Sequence, residues 1–540
     1  VPDHLLKDIR LAFRGLLRRP GPALVAVLAL GLGIGLTGGM FSIVNGVILK
    51  GLPVDAPHEL MAVNRINPSQ GQSRLLSRIH DFTDLRERQN TFEGLAAYEL
   101  KSFNLSAGEG TPELVSGANI TANTFELLRT APALGRGFVA EDEVEGAAPV
   151  ALIAHRFWQE RLGGAAEALG RTVRLDGRAT EIVGVLPEGF EFPFNQQVWT
   201  PLPPADLGQE RGSGPSLLVF GRLREGVAME RGQADLGRIM AQLAVEHPDT
   251  NEGMTVVIGP YVRELIGYQV PSLLFTMLAA VSLVLLIACA NVANLLLARA
   301  SLRSKEVALK TALGASRSRV VAQMLLDSAA IAVLGALLGL GVAELAIAAF
   351  NRTLSSFPQG VPFWFSIRLD GTVLLFVALL TVVAALLSGG IPAIRASRAD
   401  VNSILKDDSR GASSLRIGRL SRGLVVVEVA LSCALLVSAG LMIRSVTNLS
   451  NLEYPFDGAN VFTAAISLPP ADYPTDEARL QLFQGLRERL NAEPGVVSSS
   501  LTTELPAVGF GNGRFEVENE TYLGDRDYPS ARIGSIDPAY

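Results

Sequence analysis

The sequence predicts a polytopic α-helical membrane protein with a large α/β domain outside the membrane, followed by the start of a second copy of the same plan. Three observations predict it. Charged residues make up 19% of the chain, yet five long stretches carry almost none of them. A segment of ordinary soluble composition, 50–264, separates the first stretch from the second. The pattern that follows Arg19 begins again after Arg422.

Residues 1–19 place Leu5, Leu6, Ile9, Phe13, Leu16 and Leu17 at helical spacing, with Arg10, Arg14 and Arg18 four apart on another face. Such an amphipathic helix lies on the inner membrane surface with its arginines among lipid phosphates; contact with a partner is the alternative. The first span, 20–49, is uncharged. At 1.5 Å per residue it makes a helix of about 45 Å, against a hydrocarbon core of about 30 Å. A cleaved signal peptide is the rival reading, but the apolar run is too long for one. The other spans are 265–298, 328–350, 371–393 and 424–443.

Orientation follows from Lys and Arg, which favour cytoplasmic loops. Lys7, Arg10, Arg14, Arg18 and Arg19 precede the first span; the loop 299–327 carries six basic residues and the linker 394–423 carries seven. The short loop 351–370 carries Arg352 and Arg368 alone. These counts place the N-terminus inside, and 50–264 and 444–540 outside. The first two spans exceed the bilayer, so helical stalks toward the external domain are one expectation; the rivals are that Lys50-Gly51-Leu52-Pro53 ends the first helix, that Gly267 loosens the second, or that tilt absorbs the excess.

Within 50–264, strands are expected at Leu60–Ile66, Pro149–Ala154, Arg178–Val185 and Leu217–Leu223, and helices at Ile79–Arg88 and Gln233–Glu246. Catalytic motifs are lacking: there is no nucleophile elbow, no paired carboxylates, and none of the six lysines follows a glycine, so GxxxxGK[ST] does not occur. Five scattered histidines and two cysteines, Cys289 and Cys433, make no metal or disulfide pattern. A net charge of −6 points away from nucleic acid. The acidic run Glu141–Glu145 reads as a solvated loop.

Glu344 and Glu428 lie inside spans and are functional candidates on that ground, with arginine pairing or snorkelling as the plainer role. Gly31, Gly33, Gly35, Gly38 and Gly39 line the first span. They are expected to pack against the second or fifth helix, a flexible pore being the alternative. In the loop 299–327, Leu309, Ala312 and Leu313 recur at helical spacing beside the i,i+4 pair Glu306 and Lys310. Gly314 then ends a short helix along the cytoplasmic face.

Several strings point to one family. They include Phe92-Glu93-Gly94-Leu95-Ala96-Ala97-Tyr98, Pro132-Ala133-Leu134-Gly135-Arg136, Val183-Gly184-Val185-Leu186-Pro187-Glu188-Gly189-Phe190 and Trp199-Thr200-Pro201-Leu202. Further on come Ala288-Cys289-Ala290-Asn291-Val292-Ala293-Asn294, Glu306-Val307-Ala308-Leu309-Lys310-Thr311-Ala312-Leu313-Gly314-Ala315-Ser316-Arg317 and Ile391-Pro392-Ala393. In these the chain resembles the macrolide-exporter and FtsX type of ABC-transporter permease, in its duplicated, acidobacterial subfamily. The resemblance implies one helix, an external domain and three helices, repeated twice. It implies a two-lobed external domain with the lobe inserted near 116–205. It also implies that Arg303, Glu306, Val307, Ala308, Leu309, Leu313, Gly314 and Arg317 dock an ATPase.

On this reading the chain is a non-catalytic subunit of the bacterial inner membrane, without a cofactor of its own, ATP being used by a separate ABC ATPase. Membrane lipid and an extracytoplasmic adaptor or effector complete the partners. The repeats form an intrachain pseudo-dimer, the second repeat being cut short. Export is the leading function. A mechanotransmitter that activates an external protein without transport is the alternative, and a membrane-bound enzyme is disfavoured.

Overall fold

The computed structural model describes residues 14, 20–68, 72–106, 113–203, 210–267, 269–302, 317–356, 360–397, 412–451, 460–464, 466, 468, 473, 475–503, 511–515, 517, 518, 520 and 529–538. The expected amphipathic helix over 1–19 lies outside them apart from Arg14. The chain divides into two units, Val1–Gly51 with Ile266–Phe462 and Leu52–Leu265 with Thr463–Tyr540.

The first unit is helical. Its described residues contain five helices long and apolar enough to cross a membrane: Pro20–Leu49, Gln269–Arg299, Val321–Ser355, Gly371–Ile394 and Val425–Asn448. The first consists of an α-helix, Pro20–Val44, and a π-turn, Asn45–Leu49. The other helices run Gln269–Leu302, Arg317–Ser355, Gly371–Ser397 and Ala412–Ser450. The third and fifth overrun their apolar stretches, because polar residues stay helical beyond the hydrocarbon. Leu30, Ile34, Val292, Ile331, Val373 and Ala384 form the core between the first four helices.

The stalk expected over Leu265–Ala298 is interrupted. A short helix, Tyr261–Ile266, stops before Gly267, whose φ of +74° is a left-handed conformation through which no α-helix continues. Gly51, at φ +66°, closes the end of the first helix in the same way. The first stretch is helical throughout but ends at Lys50, and the second is broken at Gly267.

The second unit holds an eleven-stranded sheet among its described residues. Its strands are β1 (Leu60–Asn67), β2 (Gln72–Leu75), β3 (Phe92–Ser106), β4 (Glu113–Ile120), β5 (Leu134–Gly135), β6 (Val150–Ile153), β7 (Thr172–Leu175), β8 (Arg178–Val185), β9 (Val198–Pro201), β10 (Leu218–Leu223) and β11 (Thr255–Pro260). The long strand β3 organises it. Its first half, Phe92–Tyr98, pairs with β10, which continues through β1 to β11. Its second half pairs with β4 over Tyr98–Leu105, and Leu105–Ser106 pair with β7. Pairings of β4 with β9, β9 with β6, β6 with β8 and β8 with β7 close that half into a ring. The segment expected as an inserted lobe thus continues the ladder of β3, so the two halves share one strand.

Helices Ile79–Arg88 and Met229–Glu246 cover one face of the β11-β1-β10-β3 part. Phe82, Leu85, Leu236, Ile239, Met240 and Leu243 from these helices meet Val63, Leu95, Val219 and Ile258 from the sheet. The second helix begins four residues before the expected Gln233. An aromatic cluster of Tyr98, Phe192, Phe220 and Tyr261 forms a separate contact group.

Asp235 of the helix Met229–Glu246 accepts the Asn90 N–H at 2.8 Å and the Thr91 hydroxyl at 3.1 Å. Burial raises its pKa, but these bonds and Arg238 outweigh that and leave the carboxyl below its usual value. A lowered carboxylate pKa adds stability above the unfolded value of about 4 and loses it as pH falls through the folded one. Thermal midpoints of the wild type and D235N should therefore differ at neutral pH and converge in acid.

Of the 463–540 segment, a helix at Asp476–Ala492 and a hairpin of β12 (Gly511–Arg514) with β13 (Ser530–Ile533) are described. The repeated pattern predicts a strand over Val461–Leu468 in the place of Leu60–Ile66, but its described residues, 461–464, 466 and 468, lie in no strand. A strand-like run makes a strand only where a partner supplies the ladder.

Candidate functional site in the helix bundle

A seam of small residues joins the first and third helices. Gly31, Gly35 and Gly39 are four residues apart and so share one face. Opposite them the third helix has Gly335, Gly339 and Ala343 at the same spacing. A Cβ added at Gly35 would sit 2.6 Å from the Gly339 carbonyl oxygen and 3.0 Å from its Cα. One added at Gly31 would sit 3.1 Å from the Gly335 oxygen, and the Cβ of Gly339 would come within 2.9 Å of the Gly31 oxygen. The backbones touch. Gly33 faces Leu285 of the second helix, and Gly38 faces Val377 of the fourth. The expected partners were the second or fifth helix, whereas the third takes the main stripe. The repeat Gly335-xxx-Gly339-xxx-Ala343 was the signal that would have identified it.

Two hydroxyl contacts tie the flanking helices to this pair, the second to the first and the fourth to the third. The buried Thr37 Oγ1 lies 2.8 Å from the Gly33 carbonyl and 3.2 Å from that of Val281 on the second helix. Ser328 of the third helix and Ser388 of the fourth are fully buried, with their oxygens 2.7 Å apart. Ser328 also donates to the Ala385 carbonyl at 2.9 Å. Gly389 leaves room for this, since its Cβ would fall 2.6 Å from that of Ser328. Pro392 follows inside the fourth helix and removes the bond to the residue four before it, Ser388.

A polar cluster lies at the Lys50 end of the bundle. Asp370 accepts the Val373 N–H at 2.9 Å and so caps the fourth helix. The same carboxylate takes Lys50 Nζ at 2.7 Å and Asn45 Nδ2 at 3.3 Å. Burial pushes its pKa up, but the Lys50 bond and the backbone donors of Val373 and Thr372 hold it below the usual range. Ser42 Oγ donates to the Arg368 carbonyl at 3.0 Å, and Asn351 Nδ2 to that of Ile367 at 3.1 Å. Sequence reading missed this cluster, since an Asp before a helix signals a cap and not its distant partners.

The expected ATPase-docking residues Arg303, Glu306, Val307, Ala308, Leu309, Leu313 and Gly314 lie outside the described residues; Arg317 opens the third helix. Glu344 is exposed on the third helix and Glu428 half-buried on the fifth, and neither joins an ion pair among the described residues. No group of side chains among the described residues could hold a metal ion.

In the second unit the polar anchor is Arg222 of β10, which is fully buried. It donates to the carbonyls of Leu127 at 2.7 Å, Asp55 at 2.9 Å and Ala56 at 3.1 Å, and pairs with Glu59 at 2.9 Å. It thereby holds the first residues of the unit onto the sheet. A second network runs from Arg65 through Asp81 to Arg211 and Asp84. Burial lowers the pKa of Arg65, an effect opposed by Asp81.

These features describe a membrane helix bundle joined in sequence to an α/β unit, a permease architecture. Residues 23–239 match the MacB-like periplasmic core domain, and 278–401 the FtsX-like permease C-terminal domain. Among curated proteins, the chain is similar to the macrolide export ATP-binding/permease protein MacB of Neisseria meningitidis (23% identity over 270 residues, 46% of this chain and 40% of that one). The MacB of Wolinella succinogenes matches over 419 residues at 23% identity, 74% of this chain and 60% of that one. The uncharacterized ABC transporter permease YknZ of Bacillus subtilis is 25% identical over 219 residues, 38% of this chain and 51% of that one. The match spans less than half the length of the first of these relatives. Similar solved structures are the periplasmic region of MacB from Actinobacillus actinomycetemcomitans (14% identity, TM-score 0.29, 42% of this chain and 97% of that one) and the extracellular domain of YknZ (16%, 0.28, 37% and 99%). The chain belongs to the MacB-like, FtsX-type ABC transporter permeases, a family of multi-pass membrane proteins.

Proposed function

We propose that this chain is the permease subunit of an ABC-type export or mechanotransmission complex, driven by a separate ATPase and moving its α/β unit. The observation that carries the reading is the seam of backbone contact from Gly31 to Gly39, to which Thr37 ties the second helix and Ser328 the fourth. Close backbone packing of this kind turns separate helices into one stiff body. A stiff bundle can pass a displacement along its length, whereas lipid-separated helices would absorb it. The ATPase is taken to act in trans; the 540 residues themselves contain no GxxxxGK[ST] loop to cradle ATP phosphates. Its docking surface is the loop around Glu306 and Arg317, on the cytoplasmic side together with the N-terminus.

Orientation is tested by cysteine labelling with an impermeant reagent. Ser213→Cys should label on intact cells, and Ser316→Cys only after the membrane is opened. Labelling of Ser316→Cys on intact cells would overturn the orientation. Cys433 is exposed on the fifth helix and Cys289 is buried, so both are replaced first.

A further inference from the structure

The Lys50 end of the bundle holds an arrangement that apolar packing does not require. The first helix finishes in the π-turn Asn45–Leu49, and the Lys50 N–H closes it by bonding the Asn45 carbonyl at 2.9 Å. π-turns are rare and persist where their surroundings hold them. Val47 of the turn packs with Ile347 of the third helix and with Ile367, and the polar contacts come from the segment before the fourth helix. A Cβ at Gly46 would meet the Ser366 carbonyl oxygen at 2.5 Å, so this turn sits directly on the segment before the fourth helix. In an α-helical register the Lys50 N–H would bond the Gly46 carbonyl, which instead lies 3.4 Å from the Ser366 N–H. Asp370 completes the grip: it caps the fourth helix and takes both Lys50 and Asn45.

We propose that Asp370 is a latch that locks the π-turn of the first helix onto the start of the fourth. Releasing it lets the turn relax to α-helical register, which carries Lys50 roughly a quarter turn away from Asp370. The latch is a conformational device of the bundle and does not rest on what the chain transports. Lys50 is 28% exposed and Asp370 17%, so the pair is reachable by salt.

Hydrogen exchange on the full chain in lipid nanodiscs tests it. D370N keeps the size and helix-capping ability of the residue and removes its charge; K50M keeps the aliphatic stem. Each should speed exchange of the amides at 46–50 and at 366–370 together, by about ten-fold. The Val373 amide in D370N should stay protected. The double variant should exchange no faster than either single one, and 1 M salt should speed exchange in the wild type but not in D370N. Changes confined to the mutated segment, additive effects of the two substitutions, or no change would each overturn the latch.

Discussion

Gly35→Ala should lower the thermal midpoint of the purified chain by several degrees, and Gly35→Leu should prevent the bundle from assembling. The added Cβ meets backbone, the Gly339 oxygen at 2.6 Å and Cα at 3.0 Å, with the Val342 Cβ at 2.8 Å. A side chain could swing aside. A carbonyl in a helix cannot, so the first and third helices must separate along the whole seam. Overpacking of this kind costs about 1–3 kcal/mol for a single methyl. Gly341 supplies the control, because nothing lies within 4 Å of its added Cβ. Gly341→Ala should leave the midpoint unchanged or raise it slightly through helix propensity. Equal losses at both positions would show that the seam is not what holds the bundle.

Arg222→Met should be more damaging, and in the other unit. The guanidinium has no exposure and serves three carbonyls and Glu59. Methionine fills similar volume but leaves those acceptors without a donor. Breaking a buried pair in this way costs about 3–5 kcal/mol, a large share of the roughly 5–15 kcal/mol that holds a domain folded. Arg222→Lys should recover only part of the loss, since an ammonium cannot reach acceptors spread around a planar fork. Urea titration of the full chain, followed by tryptophan fluorescence with the buried Trp199 as reporter, measures both. A midpoint for Arg222→Met within error of the wild type would remove Arg222 as an anchor.

What the residues disclosed by themselves divides along a physical line. The five long helices were legible because a missing charge is a local property of the sequence. So were the helix Ile79–Arg88 and strand β8, where local pattern and final environment agree. Features that depend on distant partners were not. The role of Arg222 comes from segments 95 to 167 residues away, and nothing in Phe220-Gly221-Arg222-Leu223 announces a buried charge. The ring closed through β3 and β7 was hidden likewise, since short strands declare a period but not a neighbour. Val461–Leu468 shows the converse, a strand-like run whose described residues lie in no strand. Within the bundle, the glycine face was visible in the first helix, but its partner required reading the third at the same four-residue interval.

The proposal that an ATPase supplied in trans drives this permease is tested most directly by nucleotide hydrolysis. The purified chain should neither bind nor turn over ATP above background. Hydrolysis coupled to the chain should appear when its partner ATPase is added, and should fall when Glu306 is replaced. Robust turnover by the isolated chain would contradict the account.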